Sequence, residues 1–144
     1  MTLKASFLLF CISMMGSNLF AQELSDYQWK NRLLVIYADS NEQTSINDQQ
    51  LLLQHKKDQL DERKLVLFHF DGNRLQKIFP EVQEFNIGDI GIEFHQAFET
   101  VLIGLDGGIK KRWSTVVKPH EIFDLIDSMP MRRAEMRNKQ GNNK

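Results

Sequence analysis

Two sets of side chains in this sequence carry heads that can do chemistry. Asp39 follows an apolar run at 33–37, and His69 lies near the end of a second run at 64–70. A carboxylate beside an imidazole can pass a proton or hold a small ligand. The second set is cationic: Arg32, Arg63, Lys110, Arg112, Arg132 and Arg133 all lie beside apolar stretches. A guanidinium presents a planar fork to carboxylate or phosphate, so these residues suit either an anion site or internal ion pairs. Asp127, Glu62 and Glu135 are available as internal partners, and such pairs would fix the C-terminal segment on the domain. Most charged residues near regular elements are paired or solvated, which favours the structural use.

Other chemistry is thinly represented. His55, His69, His95 and His120 show none of the short paired spacings of metal sites, so no metal is expected. Asp106-Gly107-Gly108 lacks the Lys-Ser/Thr and helix of a phosphate loop and reads as a turn. The aromatic residues suit core packing, and no cofactor is expected. Cys11 is the only cysteine, and it sits within an N-terminal apolar run.

That run has the layout of a secretory leader. Lys4 gives a positive start, residues 5–16 an apolar core, and 17–21 a cleavage site ending in Ala21. It is too short for a membrane anchor of about 20 apolar residues. Phe10 before Cys11 does not suit a lipoprotein, whose acylated cysteine follows a small residue. The expected division is a signal peptide at 1–21, a domain at 22–130 and a polar basic tail at 131–144. A periplasmic or secreted address follows. Loss of Lys4 takes the net charge from −1 to −2. That balance gives no reason to expect nucleic acid as a partner. The exported chain would hold no thiol, so packing alone must stabilise it.

The elements that must position these residues follow from periodicity. The run at 33–37 is continuous and β-branched, as in a strand buried on both faces. Ile46, Leu53 and Leu60 recur every seven residues, which predicts an amphipathic helix over 46–63 with Leu52 beside the stripe. Residues 64–70 form a second strand, ended by Asp71-Gly72. Strand, helix and strand make a right-handed βαβ unit. Residues 73–79 are expected to form a short helix stopped by Pro80, while 81–98 hold neither period. Residues 100–105 and 109–113 flank Asp106-Gly107, a strong hairpin signal. The returning strand alternates apolar with charged residues, as sheet edges do. Pro119 opens a last helix over 120–128, and Pro130 ends it. Beyond it the chain is expected to leave the helix as a tail with disordered last residues. The order β-α-β, then β-hairpin-α, gives an α/β fold of thioredoxin-like layout: a mixed sheet with helices on its faces.

Particular residues go further. Trp29-Lys-Asn-Arg32-Leu-Leu-Val-Ile, Glu62-Arg63, Leu102-Ile-Gly-Leu-Asp106-Gly-Gly-Ile-Lys110 and Ile126-Asp127-Ser-Met129-Pro130-Met131-Arg132-Arg133-Ala-Glu135-Met136 form a set. They resemble a family of domains of unknown function found in bacterial exported proteins and in the C-terminal domains of animal sushi-repeat-containing matrix proteins. The resemblance spans nearly all of the chain after the leader, least well over 81–98. It implies a thioredoxin-like domain related to peroxiredoxins, without an established catalytic activity.

Thioredoxin-type chemistry needs a thiolate where the first strand meets the first helix. Ala38-Asp39-Ser40-Asn41 stands there, and no proline precedes the third strand, where Phe98 and Glu99 stand. Thr44 and Ser45 have no cysteine to assist. The expectation is a binding or interaction module without thiol redox activity of its own, engaging a protein or a small anionic ligand. The alternative is an enzyme or redox accessory that uses Asp39 and His69 at the C-terminal ends of the first two strands. The leader itself is testable: the intact mass of the exported protein should correspond to a start near Gln22, and a mass retaining 1–21 would restore the anchor.

Overall fold

The computed structural model describes residues 22–86 and 89–142; the leader expected at 1–21 lies outside them. A one-turn helix, Gln22–Ser25, leads in. The elements that follow are β1 (Arg32–Ala38), α1 (Gln43–Gln54), α2 (Lys57–Glu62), β2 (Leu65–Phe70), β3 (Leu75–Phe79), β4 (Gln83–Phe85), β5 (Phe98–Ile103), β6 (Ile109–Trp113), α3 (Pro119–Ser128) and α4 (Pro130–Gly141). The strands form one mixed sheet in the order β4-β3-β2-β1-β5-β6. β1 and β2 are parallel, with Arg32 opposite Leu65 and Tyr37 opposite Phe70. β5 runs antiparallel to both β1 and β6. The α/β class and the mixed sheet therefore stand, compatible with a thioredoxin-like layout.

Alternation along β1 divides the core. Leu34, Ile36 and Ala38 join Ile46, Leu53, Leu60, Ile122, Phe123 and Ile126 on one face, so α1, α2 and α3 all lie on that side. Leu33 and Val35 turn to the other face, where Phe68, Phe70, Val101 and Ile103 await them. Among the described residues, no long helix covers this second face. Leu24 and Tyr27 of the lead-in and Ile90, Ile92 and Phe94 of the segment before β5 pack on it instead. Tyr37 stacks on Phe94 with ring centres 4.5 Å apart, and the backbone N–H of His95 donates to Glu99 at 2.9 Å. These contacts hold an irregular segment where a helix could equally have sat.

Three expectations are corrected, and the segment left open at 81–98 is resolved in part. The helix over 46–63 is two helices, because Leu53 accepts a tight-turn bond from the N–H of Lys56 at 2.9 Å. Leu51 and Leu52 are exposed, so the stripe runs through Ile46, Gln49, Leu53 and Leu60. Residues 75–79 are a strand rather than a short helix. The apolar spacing of Leu75, Ile78 and Phe79 suited a helical turn, but β2 would otherwise be an edge with unpaired backbone. Asp71 closes the β2–β3 turn by accepting the N–H groups of Asn73 and Arg74 at 2.8 and 2.7 Å. A register shift between Leu67 and Phe68 then moves Phe79 to the helical face. The poorly periodic stretch 81–98 contributes the short β4. Finally, the segment after Pro130 is helix α4 as far as Gly141 rather than an irregular tail, while the disorder expected of the last residues falls on 143–144, outside the described residues.

That last difference has a local cause. Met129 is extended (φ −71°, ψ 141°), so the chain does leave α3 there, and Pro130 restarts it as the first residue of α4. Proline lacks the N–H that a first turn leaves unbonded anyway, so it breaks one helix and begins the next. Among the described residues, no helix is long and apolar enough to cross a membrane.

Gln49 shows how a polar residue can serve the core. Its amide donates to the carbonyl of Val117 at 3.0 Å and accepts the N–H of Val117 at 2.8 Å, fully buried. This pair ties α1 to the segment that enters α3. Gln49→Ala should strand both backbone groups, each costing about 1–3 kcal/mol. Urea denaturation should show a loss of at least about 2 kcal/mol, whereas Leu51→Ala on the exposed side should stay within about 0.5 kcal/mol.

Candidate functional site

The candidate residues fall at opposite ends of the parallel pair. Arg32 begins β1, and Arg63 and Lys64 immediately precede β2; Asp39 and His69 lie toward the strands' far ends. Lys64 takes the left-handed conformation (φ 51°), which turns the chain out of α2 and into β2. The turn leaves the last carbonyls of α2 pointing toward guanidinium groups. Arg32 Nη1 donates to the carbonyl of Arg63 at 2.9 Å, and Arg132 Nη1 donates to that of Glu62 at 2.9 Å. Helix C-termini leave such carbonyls unpaired and favour cations, so two arginines finish α2.

The same arginines gather the carboxylates. Arg32, 1% exposed, reaches both oxygens of Glu135 at 3.3 Å. Arg132, 3% exposed, donates from Nε to Asp127 at 3.0 Å and from Nη2 to Glu62 at 3.0 Å. Arg63 pairs with the other oxygen of Asp127 and lies over the Phe123 ring, 4.6 Å from its centre. Lys64 Nζ stands 3.9 Å from Glu135. Burial pushes the Asp127 carboxyl up, but the hydrogen bonds from Arg63 and Arg132 outweigh it and hold the group below its usual range. The junction of α3 and α4 is thus bolted to the N-terminal ends of β1 and β2.

The other candidate cations are elsewhere. Lys110 pairs with Asp106 at 2.7 Å across the β5–β6 turn, where Gly107 supplies the positive φ of 81°. Arg112 donates to buried Glu99 at 2.8 Å and to the carbonyl of Glu93 at 3.0 Å. It therefore fastens the segment before β5. Arg133 is exposed and makes no ion pair among the described residues.

Asp39 and His69 are not brought together by any hydrogen bond or ion pair. Asp39 accepts the N–H of Asn41 at 2.8 Å, while its own N–H donates to the carbonyl of Ala97 at 2.9 Å. The charged neighbour of His69 is Asp71. Burial lowers the His69 pKa, and the Asp71 charge only partly opposes it. Its Nε2 is buried without a partner, beside a cavity of about 160 Å³ lined also by Asp71, Arg74 and Glu84. Among the described residues, no cluster of three or more His, Cys, Asp or Glu could hold a metal ion.

A larger cavity, about 340 Å³, opens at the arginine end between the β5–β6 turn and the α3–α4 junction. Arg32, Leu105, Lys110, Met129, Pro130 and Met131 line it. The residue types named by the sequence include Arg32 and Lys110, yet nothing in the spacing signalled that they border one cavity. Only pairing β5 with β1 brings the turn at 104–108 beside Arg32.

The family model described as Domain of unknown function (DUF4174) matches residues 23–135. The matched stretch ends at Glu135, the carboxylate that holds Arg32. No solved structure matches the chain.

The two neighbouring arginines should separate sharply. Removing one partner of a buried pair strands the other charges, a loss of about 3–5 kcal/mol. Glu62 is partly solvated, so Arg132→Ala should cost about 3 kcal/mol and Arg133→Ala less than about 0.5 kcal/mol in matched denaturation curves. Asp127 adds a pH signature. Its lowered pKa contributes stability that is complete above the unfolded value near 4 and is lost as pH falls through the folded value. Thermal melts between pH 5 and pH 2.5 should therefore fall more steeply for the wild type than for Asp127→Asn.

Proposed function

The chain belongs to the family of the domain of unknown function DUF4174, and from that premise we propose that it is an exported binding or interaction module of thioredoxin-like ancestry without thiol redox activity of its own. The observation that carries this reading is the β1–α1 junction. Where thiol exchange would need a thiolate, the chain has Ala38-Asp39-Ser40-Asn41, and the Asp39 carboxylate is occupied in shaping the turn. The likeness to the C-terminal domains of animal sushi-repeat matrix proteins agrees with a role in extracellular or periplasmic binding. The near-neutral charge suits a protein or a small anionic ligand better than nucleic acid.

A second reading has one observation of its own. His69 Nε2 is buried, unpaired and beside a cavity that also holds carboxylates and Arg74. That arrangement supports an enzyme or redox accessory built on His69, with Asp71 in the role first sought for Asp39.

The readings separate in the assay tube. Purified protein starting near Gln22 should reduce insulin and consume peroxide no faster than buffer; turnover above that rate would overturn the module. A hydrolytic or transfer activity abolished by His69→Ala, with the melting temperature unchanged, would favour the second reading.

A further inference from the structure

We propose that the cavity between the β5–β6 turn and the α3–α4 junction binds a small aliphatic monocarboxylate through the unused edge of Arg32. This rests on reading the domain as a binding module. A guanidinium carries five N–H donors in fixed directions. In Arg32, Nη1 serves the carbonyl of Arg63 and one oxygen of Glu135, and Nη2 serves the other oxygen of Glu135. Nε is buried and has no partner. The Nε–H and the second Nη2–H lie along the same edge of the planar group, so the protein leaves a two-donor fork unmade. A carboxylate is the anion that matches such a fork with two parallel bonds. Leaving a charged donor unpaired in the interior is costly, and a ligand that fills it recovers that cost.

The charge balance agrees. Arg32, Arg63, Arg132 and Lys64 face Glu62, Asp127 and Glu135, which leaves one positive charge in excess beside the cavity. Asp106 also borders the cavity, but its oxygens are taken by Lys110 Nζ at 2.7 Å and by the N–H of Gly108 at 3.0 Å. It does not oppose an anion as a free carboxylate would.

The remaining lining selects the body of the ligand. The side chains of Leu105, Met129, Pro130 and Met131 offer no donors, and the Lys110 amine is engaged by Asp106, so the amide groups of a peptide terminus would find poor partners there. An alkyl chain has no such groups. Nε is closed to water, so binding requires the lining to shift. Met129 and Met131 are unbranched and adaptable, and Met131 is 44% exposed at the rim.

Octanoate is the probe, with 1-octanol and N-acetyl-alanyl-leucine as comparisons. In nitrogen-15 spectra the Arg32 Nε–H resonance should move downfield and saturate with octanoate, and stay in place with octanol. Calorimetry should show Met131→Glu weakening octanoate at least tenfold with the ligand-free melting temperature unchanged. Arg32→Lys, which keeps the charge but loses the fork, should weaken it similarly; if that variant does not fold, the resonance and Met131→Glu carry the test. Equal binding of octanol, or an Nε–H that does not move, would overturn the proposal. Tighter binding of the dipeptide would assign the fork to a peptide terminus and overturn the aliphatic ligand. Failure of octanoate with silent thiol assays leaves the module reading intact, whereas thiol turnover would remove that reading whatever octanoate does.

Discussion

The burial of two guanidinium groups, Arg32 and Arg132, with the half-buried Arg63 beside them, between β1, α2 and the α3–α4 junction is the constraint on which much else depends. Arg32 is the first residue of the central strand, Arg63 stands two residues before its parallel neighbour, and Arg132 is the third residue of the final helix. Taking such charges out of water is affordable only when carboxylates and carbonyls meet them with good geometry. Glu135 meets Arg32, Asp127 is shared by Arg63 and Arg132, and the last carbonyls of α2 complete the set. The left-handed turn at Lys64, the break at Met129 and the restart at Pro130 are each what this meeting requires of the backbone. Without them the carbonyls of α2 and the carboxylates of α3 and α4 would not converge on one point.

The consequence for the domain is a division of labour between the two ends of the sheet. The end where thiol chemistry would belong is closed by local turns: Asp39 with Asn41, Asp71 with Asn73 and Arg74. Its aromatic cover, Tyr37 on Phe94, is held down through Glu99 and Arg112. The opposite end is rigidly cross-linked by ion pairs, yet it borders an apolar cavity. Rigid charged scaffolding beside an apolar space is the combination that favours selective binding, because the polar groups are already in place when a ligand arrives.

Much of this was legible in the sequence, and the reason is local. Short apolar runs marked β1 and β2, a seven-residue recurrence marked the α1–α2 region, Asp106-Gly107 marked the hairpin, and Pro119 marked the start of α3. Those signals are written in consecutive residues. The carboxylates Glu62, Asp127 and Glu135 stood out as partners because the arginines needed some, but the assignment of one to another is spatial. Residues 75–79 misled because their apolar spacing satisfied a helical turn, and the decisive fact was the open edge of β2. Gln49 gave no signal at all: a glutamine on a helix is usually solvated, and only the approach of Val117 makes it buried and paired.

The sequence by itself determined the α/β class, the parallel pair with its antiparallel hairpin, and the lack of a cysteine anywhere after residue 11. These depend on residue type and short-range order, which a one-dimensional reading preserves. Tertiary structure alone decided that the long helices share one face of the sheet, that Asp71 rather than Asp39 neighbours His69, and that the segment after Pro130 is a docked helix. It also decided that Arg32 keeps an unpaired Nε and lines one cavity with Leu105, Met129 and Met131. Arg32 and Glu135 are 103 residues apart, and no local pattern encodes which distant carboxylate a buried arginine will meet. That choice is made only when strands pair and helices pack, because a buried charge must find its partner among whatever groups the fold brings within reach.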